Sequence, residues 1–169
     1  MDGAGSITVP VDSSAYAFAG AIVGSGALSA TQSKFGGSSL YVPGVVGVEH
    51  GATFATSSAA FNVGTGDFTL EYWFYPVAAT SNVGCFAIEK AGVIAAAADV
   101  LLYMQMNQST GAMTVTTNYS ASFDATITSA GGSFTIGAWN HCAVTRKSGT
   151  LYLFINGVLR GSAASVNSL

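Results

Sequence analysis

One pair of carboxylates in the sequence could act together, Asp67 and Glu71 in the segment GTGDFTLEYWFYP (residues 64–76). Glycoside hydrolysis uses two carboxyl groups, about 5–5.5 Å apart in retaining enzymes and about 6.5–9.5 Å apart in inverting ones. On a strand, Asp67 and Glu71 would share a face but lie about 13 Å apart. Thr69, between them, cannot replace either carboxylate. We therefore expect no hydrolase activity, with Asp67 as a turn residue and Glu71 as a solvated or hydrogen-bonded strand residue.

A histidine and a cysteine could supply a base and a nucleophile. His141 and Cys142 are adjacent, so on a strand their side chains point to opposite faces and cannot pair with each other. His50 could meet either of them, but no third group that would orient the base is evident. We interpret both histidines as structural, with His141 hydrogen-bonded near a sheet edge, and we assign no catalytic residue.

The two cysteines, Cys85 and Cys142, lie far apart in the sequence and lack the spacing of a metal site. Cys142 lies within an apolar strand pattern, which favours a buried thiol. A disulfide between facing strands is the alternative, and the sequence does not decide between them.

Oxygen ligands for calcium are available but not clustered. They are Asp99, Asp124, Asn107 and Asn118. We predict no metal and no cofactor. Three aromatic side chains could stack on a sugar or pack in a core, and the core interpretation is favoured. They are Tyr103, Tyr119 and Trp139.

Composition narrows the class of protein. The 169 residues predict a single domain spanning residues 1–169; half of the residues are hydrophobic and only 8% are charged. The longest apolar stretch, residues 91–104, is interrupted by Asp99 and is shorter than the roughly 20 residues of a membrane span. A net charge of −3 with five scattered basic residues disfavours nucleic-acid binding. The N-terminal MDGAGSITVPVD lacks the pattern of a signal peptide. So few charges favour association with a partner.

Alternating hydrophobic patterns predict strands along most of the chain. The predicted segments are residues 38–44, 68–75, 84–90, 99–107, 112–119, 141–146, 150–156 and 158–162. The Ala-rich stretch 91–99 is interpreted as a loop or the start of a strand. Large side chains on both faces of 68–75 predict a central strand. Leu151, Leu153 and Ile155 should share one face, and Asn156-Gly157 should form a tight hairpin turn. The pattern predicts an all-β, antiparallel two-sheet sandwich.

Three segments in order, SKFGGSSLYV, FNVGTGDFTLEYWFYP and WNHCAVTRKSGTLYLFINGVLRGS, resemble signature segments of laminin-G-like domains of the concanavalin A-like lectin/glucanase superfamily. The resemblance covers roughly residues 32–162. It implies a concanavalin A-like jelly roll. The residues of the three segments are most similar to those of modules of tailed-phage virion proteins and bacterial surface proteins. Relatives usually continue with a strand that closes a sheet, so we expect GSITVPVD to take that place or a sheet edge to remain open.

The resemblance and the composition together lead us to expect a non-enzymatic structural protein of a bacteriophage virion, either a capsid decoration or cement protein or a tail appendage. Its partners would be other virion proteins and copies of itself, without nucleic acid or membrane. It would be made in the host cytoplasm and reside on the particle surface, with its terminal segments contacting neighbouring subunits. The alternative is a lectin-like module that binds cell-surface glycans.

Overall fold

The computed structural model describes residues 9–44, 49–54, 61–77, 82–89, 100–119 and 123–169, with only the backbone given for residues 118 and 119. The chain divides into two compact units, residues 1–57 and 58–169, which we describe separately. The single-domain organisation stays a prediction. The Ala-rich stretch 91–99 lies outside the described residues.

The described part of the first unit contains two short antiparallel strand pairs. Strand β1 (Ala21–Val23) pairs with β4 (Gly51–Thr53), and β2 (Ala27–Ser29) pairs with β3 (Ser39–Tyr41). Of these, only β3 was predicted, because three-residue strands are too short to show an alternating pattern.

The second unit contains two four-stranded antiparallel sheets in its described residues. Sheet A has the order β12-β11-β10-β5, and its strands are β5 (Phe68–Phe74), β10 (Asn140–Lys147), β11 (Thr150–Ile155) and β12 (Val158–Ala164). Sheet B has the order β6-β7-β8-β9, and its strands are β6 (Asn82–Glu89), β7 (Val100–Asn107), β8 (Ala112–Tyr119) and β9 (Ala125–Thr128). Only β9 was absent from the prediction for this unit.

The two sheets of the second unit bury their inner faces in one hydrophobic core. Sheet A contributes the fully buried Leu151, Leu153 and Ile155, which confirms the predicted face of β11, and sheet B contributes residues such as Leu102 and Val115. The described chain contains no α-helix. The predicted all-β, antiparallel two-sheet sandwich is therefore confirmed.

Strands β10, β11 and β12 form the predicted meander, joined by two tight turns. Asn156 and Gly157 have φ angles of 52° and 76°, as the sequence predicted, and Ser148 and Gly149 have φ angles of 49° and 74°. Two consecutive residues with positive φ are typical of the two-residue turn whose twist matches that of antiparallel strands. The side chain of Asn156 accepts a hydrogen bond from the backbone N–H of His141 at 2.8 Å, which fixes the turn to β10.

The central position predicted for residues 68–75 is not seen among the described strands. Strand β5 lies at one edge of sheet A, paired only with β10 among the described strands. Phe68, Leu70 and Tyr72 pack against the core, whereas Thr69 and Glu71 on the other face are exposed. Bulky side chains on both faces suggested two covered faces, but the outward ones lie on the exposed side of the sheet.

The C-terminal segment, residues 165–169, is bound within the second unit. Leu169 and Gly64 exchange two backbone hydrogen bonds, at 2.9 and 3.0 Å. The Ser165 hydroxyl and the Asn167 side-chain amide donate to the Asp124 carboxylate at 2.8 and 2.7 Å. Ser165 and Leu169 are buried, whereas Val166 between them is exposed. Contact of the terminal segments with a neighbouring subunit stays a prediction.

Arg146, at the end of β10, holds this segment in place. It is only 1% exposed, and it donates through Nε to the carbonyl of Gly66 at 2.8 Å, through Nη2 to that of Gly64 at 2.5 Å and through Nη1 to that of Asn167 at 3.1 Å. The guanidinium also lies 5.1 Å from the ring centre of Phe68. Burial lowers the pKa of Arg146, while the charges of Asp124 and Asp67 oppose that shift.

Replacing Arg146 with Lys should lower the free energy of unfolding by about 2–4 kcal/mol, because an ammonium group cannot reach all three carbonyls and a buried acceptor left unpaired costs about 1–3 kcal/mol. Urea unfolding would measure the change. The matched control is Arg160→Lys, since Arg160 is half-buried and donates to one carbonyl, that of Ser133, at 3.2 Å. Equal losses in the two variants would contradict the role assigned to Arg146.

Candidate functional site

The outward face of sheet A carries a group of polar and aromatic side chains that could contact a ligand. Strand alternation places Glu71 and Trp73 of β5, His141 of β10, and Tyr152 and Phe154 of β11 on this face. The residues that alternate with them along the same strands point into the core. We call these five residues the outer-face group.

His141 and Glu71 form a polar pair within the outer-face group. Nε2 of His141 lies 3.5 Å from Oε2 of Glu71, and the Glu71 side chain is 66% exposed. The His141 ring also lies 5.1 Å from that of Trp73, at an angle of 49°. His141 is thus held by a carboxylate and an aromatic ring on β5. His141 lies on β10, next to β5, which agrees with a position near a sheet edge among the described strands. A hydrogen bond of its side chain stays a prediction.

The Asp67 side chain lies at the β10–β11 turn, whereas that of Glu71 lies beside His141. The Asp67 carboxylate accepts a hydrogen bond from the N–H of Ser148 at 2.8 Å and lies 2.8 Å from Nζ of Lys147. The hydrogen bond from Lys147, followed by that from Ser148, lowers the pKa of Asp67. Asp67 therefore fastens the β10–β11 turn, and the structure does not bring it together with Glu71.

Cys142 faces the core from sheet A and Cys85 faces it from sheet B, and both thiols are free. Sγ of Cys142 lies 3.4 Å from Sδ of Met113, and Sγ of Cys85 lies 3.2 Å from the Tyr72 hydroxyl. The Cys85 thiol also donates to the carbonyl of Met104 at 3.3 Å. Burial raises the pKa of Cys85 to about 11 and that of Cys142 to about 12. Of the two alternatives for Cys142, the structure has the buried thiol.

His50 lies in the first unit, where its Nδ1 accepts a hydrogen bond from the N–H of Ser25 at 2.9 Å. Its purely structural role stays a prediction. His141 and Cys142, in β10, point to opposite faces of sheet A, and Cys142 is buried. The structure therefore shows no nucleophile and base side by side at this position.

The candidate calcium ligands that are described are engaged elsewhere. Asn107 Oδ1 accepts hydrogen bonds from the N–H of Ser109 and of Thr110 and from the Ser109 hydroxyl, which closes the β7–β8 turn. Asp124 binds the C-terminal segment. Asp99 and the side chain of Asn118 lie outside the described residues. Within the described ranges, no three His, Cys, Asp or Glu side chains are grouped so that they could hold a metal ion.

The aromatic candidates for sugar stacking are only half-exposed. Trp139 packs edge-on against Tyr75, with ring centres 5.6 Å apart. Tyr103 lies over Gly84, where a Cβ would come within 2.5 Å of its hydroxyl. The side chain of Tyr119 lies outside the description. Sequence reasoning missed the aromatic members of the outer-face group, although the alternation of Tyr152 and Phe154 with buried Leu residues could have indicated them.

The comparisons with known proteins agree with this architecture. The family model described as the concanavalin A-like lectin/glucanases superfamily, of laminin G type, matches residues 49–169. Since the match covers most of the sequence, the chain belongs to this family. Two of the three signature segments lie inside the matched range, and SKFGGSSLYV lies before it. No curated protein and no solved structure matches the chain. The described part contains no helix long and apolar enough to cross a membrane.

Stability should fall at alkaline pH because of the buried thiols. The pKa values of both thiols in the folded chain lie above the value of about 8.5 that a cysteine has in the unfolded chain. Their contribution to the free energy of unfolding is therefore complete below that pH. It is lost as the pH rises towards about 11 for Cys85 and about 12 for Cys142, because the unfolded state then releases protons that the folded state retains.

Urea unfolding of the wild-type chain between pH 7 and 10.5 should therefore show a decline that begins near pH 8.5. The variant Cys85→Ala/Cys142→Ala should show a shallower decline, with a remainder from Tyr72, whose pKa burial also raises. An identical slope in the wild-type chain and the double variant would contradict the buried, protonated state of both thiols.

Proposed function

We propose that this chain is a non-enzymatic structural protein of a tailed-phage virion that acts through protein–protein contacts. The observation that carries the proposal is the combination of few charges with several exposed, large apolar side chains. In the second unit, Val158, Leu159 and Val166 are 51%, 52% and 66% exposed. Exposed apolar side chains in a protein with few charges favour association.

Of the three cations in the described part of the second unit, only Lys147 has a largely exposed side chain (74%). Arg146 is buried, and Lys147 is paired with Asp67. Arg160 donates to the carbonyl of Ser133. These three cations thus hold turns and chain segments of the same unit. A protein that works inside a permanent assembly can tolerate such a surface, because its partners cover the apolar area.

The virion context rests on the resemblance of the signature segments to modules of tailed-phage virion proteins and of bacterial surface proteins. In this proposal the protein is a capsid decoration or cement protein or a tail appendage, made in the host cytoplasm and located on the particle surface. Its partners are other virion proteins and further copies of itself. Capsid and portal genes beside its gene would support this role, and a cluster of polysaccharide-degradation genes would oppose it.

The separation of the two carboxylates supports a role without catalysis. Asp67 is held by the β10–β11 turn, whereas Glu71 lies beside His141. A glycosidase needs an acid and a second carboxylate on either side of one bond. The described residues place these two in separate surroundings, each with its own partner.

The outer-face group favours a second candidate function, a lectin-like module that binds cell-surface glycans. The rings of Tyr152 and Phe154 lie 6.5 Å apart on the same face as the exposed carboxylate of Glu71. An aromatic ring can stack on the apolar face of a sugar while a carboxylate accepts bonds from its hydroxyls. If the protein binds glycans on an array, and if Tyr152→Ala or Glu71→Gln abolishes that binding, this function would be favoured over assembly.

Purified protein incubated with laminarin, agarose or carrageenan should release no more reducing sugar than the Glu71→Gln variant. The reason is that no second carboxylate accompanies Glu71 in the described structure. Release by the wild-type chain above that of the variant would establish catalysis and overturn this part of the proposal.

The assembly role predicts that the protein self-associates or binds purified phage particles. Light scattering after size exclusion would measure the first, and co-sedimentation with particles the second. Leu159→Ser should weaken at least one of them, while Thr126→Ser, a mild change at an exposed position of β9, serves as the control. A wild-type protein that stays monomeric at high concentration and does not sediment with particles would contradict the proposal.

A further inference from the structure

Asn156 is the only asparagine in the sequence that precedes a glycine. Asparagine is a thermolabile residue, and in a flexible chain an Asn-Gly pair loses ammonia readily. The backbone nitrogen of the glycine can attack the side-chain carbonyl carbon of the asparagine, and glycine has no Cβ to hinder that approach. The Asn156-Gly157 turn is therefore a position where the chain can be modified without an enzyme.

The buried amide of Asn140 fixes the orientation of the Asn156 amide. Nδ2 of Asn140 donates to the carbonyls of Thr135 and Ala138, each at 2.8 Å, and Oδ1 accepts the N–H of Thr135 at 3.0 Å. A flipped amide would place an oxygen against two carbonyls and an NH2 group against an N–H. Oδ1 of Asn140 is therefore an acceptor, and Nδ2 of Asn156, 3.0 Å away, is one of its donors.

Both polar atoms of the Asn156 side chain are bound to the start of β10. Nδ2 donates to Asn140, and Oδ1 accepts the N–H of His141 at 2.8 Å. The backbone N–H of Asn156 also donates to the carbonyl of His141 at 2.9 Å. Attack by the nitrogen of Gly157 needs the side-chain amide to leave these partners and turn towards the following peptide bond. The reaction must therefore break two side-chain hydrogen bonds first.

We propose that Asn156 is a deamidation site that reacts only after the β11–β12 turn has detached locally from the start of β10. The nitrogen of Gly157 forms a bond to Cγ of Asn156, and the side-chain nitrogen leaves as ammonia. Water then opens the cyclic imide at either of its carbonyls, which gives aspartate or isoaspartate. The reaction consumes only water. This inference is independent of the proposed function.

The product cannot form the native hydrogen bonds again. A carboxylate at position 156 has no N–H for Oδ1 of Asn140, and it places a second acceptor against that buried oxygen. Two facing acceptors in a buried network lower its stability. Isoaspartate also lengthens the backbone of a two-residue turn, whose length fixes the register of the strands that it joins. An opening event that leads to reaction is therefore irreversible.

The first test compares the loss of the Asn156 amide in the folded chain and in the full chain unfolded by urea, at the same mildly alkaline pH and temperature. Mass spectrometry of proteolytic peptides measures the reaction. In urea, Asn156 should react faster than Asn62, an exposed asparagine that precedes valine. In the folded chain, the rate at Asn156 should fall about tenfold or more, because only the locally open state reacts.

Removal of the acceptor tests the role of Asn140. Asn140→Ala should accelerate the reaction of Asn156 in the folded chain by about tenfold, because the turn opens more often, and should leave the rate in urea unchanged. Should this variant fail to fold, the wild-type chain provides the same test at urea concentrations below its unfolding transition. The reaction rate should then rise in parallel with the hydrogen exchange of the Asn156 backbone amide.

The consequence of the reaction is tested with Asn156→Asp, which reproduces one product. This variant should unfold at a lower urea concentration than the wild type, because Asn140 loses a donor and faces a carboxylate. The matched control is Asn62→Asp, whose carboxylate can still accept the N–H of Gly64, as Oδ1 of Asn62 does at 3.2 Å. The control should unfold at nearly the wild-type urea concentration.

Four outcomes would overturn the inference. Equal rates at Asn156 in the folded and the unfolded chain would show that the fold does not hold back the reaction, and absence of the reaction in urea would reject the chemistry. A reaction rate in the folded chain that neither Asn140→Ala nor the exchange of the Asn156 amide follows would reject local opening as its cause. An Asn156→Asp variant as stable as the wild type would reject the irreversible consequence.

Discussion

One end of the second unit depends on the hydrogen bonds that the guanidinium of Arg146 makes. Three carbonyl groups, from two loop residues before β5 and one residue near the C-terminus, converge on a cation that has almost no contact with water. Neutral side chains could not satisfy three converging acceptors, and a buried charge is tolerated only when its hydrogen bonds are made. The segment before β5 and the segment after β12 are therefore held together although they lie far apart in the sequence.

A second polar network also holds separate chain segments together, at another point of sheet A. The amide of Asn140 is buried, and it donates to the carbonyls of Thr135 and Ala138 while its oxygen accepts from the N–H of Thr135 and the side chain of Asn156. Asn156 in turn binds the backbone of His141. The connection before β10 and the β11–β12 turn thus share one set of hydrogen bonds. Such fully satisfied networks define a single arrangement of the chain, because any slip would leave buried polar groups unpaired.

These interactions explain how a chain with few charges can fold while leaving its surface suited to association. The described polar side chains with the most hydrogen bonds face inward or fasten turns, and the strand faces that point outward carry threonine, alanine and aromatic residues. Stability then comes from the core between the two sheets and from buried hydrogen bonds rather than from surface ion pairs, which contribute little. The same use of polar groups leaves apolar side chains exposed, and this is a feature of proteins that associate.

The sequence by itself determined the local structure of the sandwich and the exclusion of a paired-carboxylate site. Alternation with a period of two places Leu151, Leu153 and Ile155 on one face, and the Asn-Gly pair predicts its turn, because both depend only on neighbouring residues. Tertiary structure alone decided that β5 pairs with β10, that Arg146 collects carbonyls from distant segments and that two thiols share the core with Tyr72. Which strand lies beside which, and which polar groups meet in the interior, depends on contacts between residues far apart in the chain. The alternation of a single strand, even one with large side chains on both faces, contains no information about them.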